Sequence, residues 1–315
     1  MSPFSAINPP APSAEGDIWF SFLSIVLEGA PYLFLGTLVS GFIDAFLPRQ
    51  AMERLLPRRI VPGVMAAGLL GMVFPVCECA VVPVIRRLVQ KGLPLSLALT
   101  YMLAAPVLNP ITALSTLAAF KGQDPVLMTV SRLMIAWLVT VGVGLLVSRM
   151  PARRILLEKV LSANHAGHNH AQGDFRARGG RALGTAMHDF LDTGKYFVFG
   201  VFLTALFNTQ VVVRPGLQDG IAALAGNDVF AVPAMMALAF VLSLCSTTDA
   251  FIAANMQGFS QASKLAFLIF GPMVDLKLLF MYASVFRRPF IAWLVCGLFV
   301  AVGFCALVWK IFFMA

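Results

Sequence analysis

Charge is what this chain has least of. Only 12% of its 315 residues are Asp, Glu, Lys or Arg and 59% are hydrophobic, against roughly 25% charged in a soluble domain. A soluble globular protein is excluded on that ground. Cysteine is also sparse, and five residues scattered among apolar segments do not make a disulfide framework. Cys296 and Cys305 lie among Leu, Phe and Val and read as small packing residues. There is no GxxxxGK[ST] phosphate loop and no cofactor motif, so neither ATP hydrolysis nor a bound cofactor is expected on this chain. No basic leader precedes the first apolar run, and the Pro- and Ser-rich residues 1–17 read as a short disordered N-terminal tail. The net charge of +8 reflects Lys and Arg retained in membrane loops and does not point to nucleic acid.

What is present is apolar length. A bilayer core of about 30 Å takes roughly 20 helical residues, and runs near 18–47, 93–120, 126–148, 188–213, 264–286 and 290–313 meet that need. Six full spans are expected, with the lipid bilayer as the principal partner. The second half also repeats the first. Ile135-Ala136-Trp137-Leu138-Val139 returns as Ile291-Ala292-Trp293-Leu294-Val295, each copy three residues after an arginine, Arg132 and Arg288. Weaker echoes pair Tyr32–Gly36 with Tyr196–Gly200, Cys77 with Cys245, and Pro106-x-x-Asn109 with Pro272-x-x-Asp275. Their near-constant offset indicates a duplicated unit of about 130 residues. We divide the chain into repeat one at 18–148, a cytoplasmic linker at 149–187 and repeat two at 188–315.

Two further apolar segments, 61–91 and 229–262, are interrupted midway by polar residues, Cys77-Glu78-Cys79 in one and Cys245-Ser246-Thr247-Thr248-Asp249 in the other. Read as re-entrant hairpins, they leave six crossings and gather 16 of the 23 Lys and Arg on one side. Short cytoplasmic loops are the basic ones, so both termini are expected in the periplasm. Ten helical segments result if the hairpin arms are counted separately. Three crossings plus a hairpin is an odd count, which turns the repeats upside down relative to each other and brings both interruptions to a midplane site.

Several residues there carry chemistry. A carboxylate at bilayer depth costs roughly 2.5–3.5 kcal/mol, so Glu28, Glu78, Asp192, Asp249 and Asp275 each need a partner or a task. Asp275 and Lys277 are two apart, a spacing that sets them on different faces of a continuous helix. Proton coupling through Glu78, Asp249 or Asp275 is open to the chain. Pro75, Pro106 and Pro272 are helix-break positions, and the last two stand three residues before Asn109 and Asp275, where a freed carbonyl and a polar side chain could share a cargo. Cys77 and Cys79 are soft ligands suited to thiophilic metals or metalloids, with a third sulfur available only from Cys245. In the linker, His165, His168 and His170 are spaced to gather a transition metal or to sit in a solvated connector.

With CEC at the first break, PVLNP after it, CSTTDAF at the second break and GPMVDLK beyond, the chain resembles a bacterial family of predicted permeases that includes organoarsenical efflux permeases. The resemblance implies an all-α multi-pass protein of the inner membrane, not an enzyme, that moves a small cargo. The positions carried over are Cys77, Cys79, Asn109, Cys245, Asp249 and Asp275, beside which we count Glu78, Ser246, Thr247 and Thr248 as transport residues. Glu78 stands where a small polar residue is expected and suits a cationic cargo. The leading expectation is a secondary transporter that exports a thiophilic metal or metalloid species by alternating access. The alternatives are a carrier of a small anion such as a sulfur oxyanion, and an intramembrane thiol redox enzyme. The sequence leaves room for a homo-oligomer.

Overall fold

The computed structural model describes residues 14–46, 59–158, 175–213, 228–256 and 258–313. Among the described residues the regular structure is helical, apart from one isolated bridge between Leu156 and Phe286. In chain order the helices are α1 (Ala14–Phe46), α2 (Ile60–Val73), α3 (Glu78–Gln90), α4 (Leu95–Ala104), α5 (Pro110–Ala119), α6 (Pro125–Val147), α7 (Ala152–Ile155), α8 (Phe175–Val213), α9 (Asp228–Leu242), α10 (Thr248–Asn255), α11 (Gln261–Met273), α12 (Leu276–Tyr282) and α13 (Arg288–Phe313). Setting α7 aside, each half runs as one long helix, four short ones and one long one.

Among the described residues, five helical segments are long and apolar enough to cross a membrane: Ile18–Phe46, Pro125–Val147, Ala182–Phe207, Gln261–Tyr282 and Arg288–Phe313. Exposed Leu27, Phe304 and Phe312 stud the outer helices, as lipid-facing positions require. The protein is a multi-pass membrane protein. At its centre lie α4 and α11, the counterparts in the two halves. Every residue of α4 from Ser96 to Ala104 is buried, and so is every residue of α11 from Ala262 to Met273. Helices this apolar all round belong inside a bundle and not on its rim.

The structure differs from expectation at several boundaries. The run expected as one span at 93–120 is two helices, α4 and α5, parted at Ala105–Asn109, and the run at 264–286 is parted at Val274 and Asp275. The helix expected to start at 18 starts at Ala14. The linker is not all loop, because α7 lies inside it and α8 begins at Phe175, 39 residues long. At 1.5 Å per residue that is about 58 Å, well beyond a hydrocarbon core. Hydropathy finds only the part of a helix that sits in lipid; the polar turns before it are helical too. His165, His168 and His170 lie outside the described residues.

One sequence echo has a packing cause. A Cβ on Gly36 would sit 2.7 Å from Ala80 Cα, and one on Gly200 would sit 2.9 Å from Lys277 Cα. Each glycine lets a long helix press its backbone against the chain just after a helix break. The repeated Tyr-to-Gly motif therefore marks how α1 rests on α3 and α8 on α12.

Candidate functional site

The site is made by helix interruptions. After α2 ends at Val73, Pro75 offers no N–H to continue the turn, and Cys77 starts α3 in an extended conformation, φ −71° and ψ 163°. Its carbonyl accepts from Ala80 N at 3.2 Å and Val81 N at 3.1 Å. The second interruption repeats this: the Cys245 carbonyl accepts from Thr248 N at 2.9 Å and Asp249 N at 3.0 Å. No proline makes this break. Ser243 does, held in the left-handed region at φ 48°, a conformation that serine pays for and that tends to mark functional turns. Its hydroxyl accepts from Leu276 N at 3.1 Å, tying the second interruption to the start of α12.

The other two interruptions are caps. Asn109 accepts from Ile111 N at 2.9 Å with Pro110 in the first helical turn, and Asp275 Oδ1 accepts from Leu278 N at 2.6 Å. Tyrosines satisfy carbonyls the breaks set free: Tyr101 donates to Phe74 O at 3.2 Å and Tyr282 to Met273 O at 2.9 Å. Pro106 lies in the third interruption, its carbonyl accepting from Thr112 Oγ1 at 3.2 Å, while Pro272 lies inside the last turn of α11.

The first two interruptions meet. A cavity of about 280 Å³ is lined by Cys77, Glu78 and Cys79 from one, by Leu242 to Cys245 and Thr248 from the other, and by Lys277. Its remaining wall is Phe197 and the N-terminal half of α1, where Ser21, Ser24, Glu28 and Tyr32 form a polar stripe. The lining carries two acids, Glu28 and Glu78, against the single base Lys277. Cys77 and Cys245 are half-buried, Cys79 is buried, and all three are free thiols. Among the described residues no group of three or more His, Cys, Asp or Glu is arranged to hold a metal ion.

Lys277, which the sequence reading weighed only as a neighbour of Asp275, joins the interruptions. Its ammonium lies 3.2 Å from Glu78 Oε1, 3.4 Å from Asp275 Oδ2 and 3.0 Å from Ser243 O. The spacing argument kept Asp275 and Lys277 apart because it assumed an unbroken helix. Asp275 is the N-cap of α12 and is not helical, φ −136° and ψ 174°, so the chain folds the carboxylate back toward the ammonium.

Asp249 is elsewhere. It is buried, its Oδ2 has no hydrogen-bond partner, and it lies within electrostatic reach of Arg132. Arg132, fully buried, donates to Thr116 Oγ1 at 2.7 Å and to Ser246 O at 3.2 Å. The sequence reading used Arg132 only as a repeat marker. It is a core residue, and its partner in the repeat, Arg288, is exposed. Thr247 donates to Cys245 Sγ at 3.5 Å. Of the ten transport candidates, then, Cys77, Glu78, Cys79, Cys245 and Thr248 line the cavity, and Asp275 touches it through Lys277. Ser246 and Asp249 join the Arg132 cluster, Thr247 turns to the adjacent thiol, and Asn109 caps α5. Glu28 lines the cavity, whereas Asp192 pairs with Lys195 at 2.6 Å and Arg86 at 2.8 Å.

Beyond the cavity, the C-terminal half of α3 is tied to its neighbours by charge. Arg87 holds Asp189 through two 2.8 Å bonds, Ser40 donates to the same carboxylate at 2.9 Å, and Lys91 lies 3.2 Å from Asp44.

A cavity that carries thiols, acids and a base, set between interrupted helices of an apolar bundle, is the anatomy of a membrane permease. The chain belongs to the predicted permease family ArsP_1, which it matches over residues 17–311. It is similar to the UPF0718 protein YcgR of Bacillus subtilis, 36% identical over 283 residues that cover 89% of this chain and 92% of that one. It is also similar to a Streptococcus mutans protein named as a subunit of a two-component membrane permease complex, 33% identical over 271 residues, 86% of this chain and 87% of the other. No solved structure matches the chain.

Proposed function

We propose that this permease exports a small thiophilic metal or metalloid species across the bacterial inner membrane by alternating access. The observation that carries the reading is the meeting of Cys77, Glu78 and Cys79 with Cys245 at one cavity. Sulfur ligands select soft cargo, and an acid-rich lining favours a cation or a neutral species over an oxyanion.

The two halves act in this reading as inverted repeats, their interruptions approaching from opposite faces. Two features support it. The order of long and short helices is the same in both halves, and the acid after each Cys-led break meets a base of the other half, Glu78 in an ion pair with Lys277 and Asp249 within electrostatic reach of Arg132. The periplasmic termini and the cytoplasmic linker belong to the same reading. The Streptococcus relative's name makes a partner subunit part of the proposal as well.

The test is a metal and metalloid panel on cells lacking the protein, complemented with wild type, with Cys77→Ser, Cys79→Ser, or with Cys245→Ser. Wild type should restore tolerance to trivalent arsenicals or cadmium and lower their accumulation, and the cysteine variants should return both to the level of cells without the protein. Equal accumulation in every strain across the panel would remove the thiophilic cargo.

A further inference from the structure

Lys277 has three partners, each from a different helix interruption. Glu78 follows the first break, Ser243 O belongs to the second, and Asp275 belongs to the fourth. The side chain is only 4% exposed, and an ammonium so far from water is stable only while it is paired. Two carboxylates face it, so the trio holds one more acid than base. Glu78 lines the cavity, is 2% exposed, and its Oε2 has no hydrogen-bond partner. One oxygen of that carboxylate is thus held by Lys277 and the other is unpaired.

We propose that Lys277 is a resident competitor for the cargo: its ammonium holds Glu78 while the cavity is empty, and a cationic soft-metal cargo captured by the thiols takes Glu78 from it. The inference rests on the export reading and adds the charge of the cargo. Displacement does not strand the lysine. Asp275 Oδ2, 3.4 Å away and without a hydrogen bond of its own, and Ser243 O at 3.0 Å remain to receive it. A neutral cargo offers nothing in exchange for the lost ion pair, so Lys277 selects for positive charge as the thiols select for softness. Because the ammonium also bonds the Ser243 carbonyl, the exchange at Glu78 is felt at the second interruption.

The experiment uses the full-length protein in detergent and two probes, cadmium ion and neutral phenylarsine oxide. Binding is read as protection of Cys77 and Cys245 from maleimide labelling. Lys277→Gln should shift the ratio of cadmium to arsenical affinity toward cadmium by about tenfold or more, equivalent to about 1.4 kcal/mol. Should that variant fail to fold with two acids facing no base, Lys277→Gln combined with Asp275→Asn keeps the net charge of the trio and the cap on α12, and the same shift is expected of it. Glu78→Gln should move the ratio the other way. A ratio unchanged, or moved toward the arsenical, in the lysine variants overturns the proposal while leaving thiophilic export standing. If neither probe protects the wild-type thiols, the thiophilic cargo itself falls, and the lysine proposal falls with it.

Discussion

At the scale of single residues, the buried cations carry the argument. Arg132 sits in the first half yet bonds the Ser246 carbonyl of the second and faces Asp249. Removing one partner of a buried charged cluster leaves the other uncompensated, which is far worse than removing both. Arg132→Leu should therefore lower stability by about 3 kcal/mol, read as a fall in the unfolding midpoint in detergent. Adding Asp249→Leu should recover most of the loss, and a double variant no better than the single would break the pairing. Neither Arg132 nor the Glu78 contact of Lys277 could be assigned from the sequence, because a base inside an apolar run gives no sign of which distant acid it will meet. The acids were readable, since their cost in lipid marks them wherever they stand.

At the scale of elements, the interruptions were partly legible. The Cys-led breaks were visible as polar insertions in apolar runs, and Pro75 gave the first a mechanism. Asn109 and Asp275 were recognised beside prolines but read as parts of continuous spans. The structure makes them N-caps, each turning its side chain onto the first turn of a new helix. A capping bond and a mid-helix polar contact call for the same residue types, and only the backbone path separates them. Asn109→Ala should cost about 1 kcal/mol, measured by denaturant unfolding, while Asn109→Asp should stay close to wild type because it still accepts from Ile111 N. An equal loss in both would mean that the amide, and not the cap, is what matters there.

At the scale of the whole molecule, the cavity and the charge cluster lie at opposite ends of α3. Cys77–Cys79 opens that helix, and Arg86, Arg87 and Lys91 close it against α8 and α1. Parting one end requires parting the ion pairs at the other, so the cluster should resist opening toward the basic side. Asp189→Asn, which weakens a bidentate pair to a buried carboxylate, should raise maleimide labelling of the buried Cys79 from that side roughly tenfold, the factor that about 1.4 kcal/mol represents. Exchanging the charges, Arg87→Asp with Asp189→Arg, should restore slow labelling. Labelling that ignores both changes would show that these pairs brace the fold without closing it.

Composition and apolar run length determined by themselves that this is an all-helical membrane protein with two thiol-bearing interruptions, because each is a property of residues near one another along the chain. Tertiary structure alone decided that the interruptions share a cavity, that Lys277 stands between Glu78 and Asp275, and that Arg132 bonds the Ser246 carbonyl. The sequence separations run from over a hundred to nearly two hundred residues in most of these contacts. A buried charge finds its partner through the folded path of the backbone, and that path is not written in any local pattern.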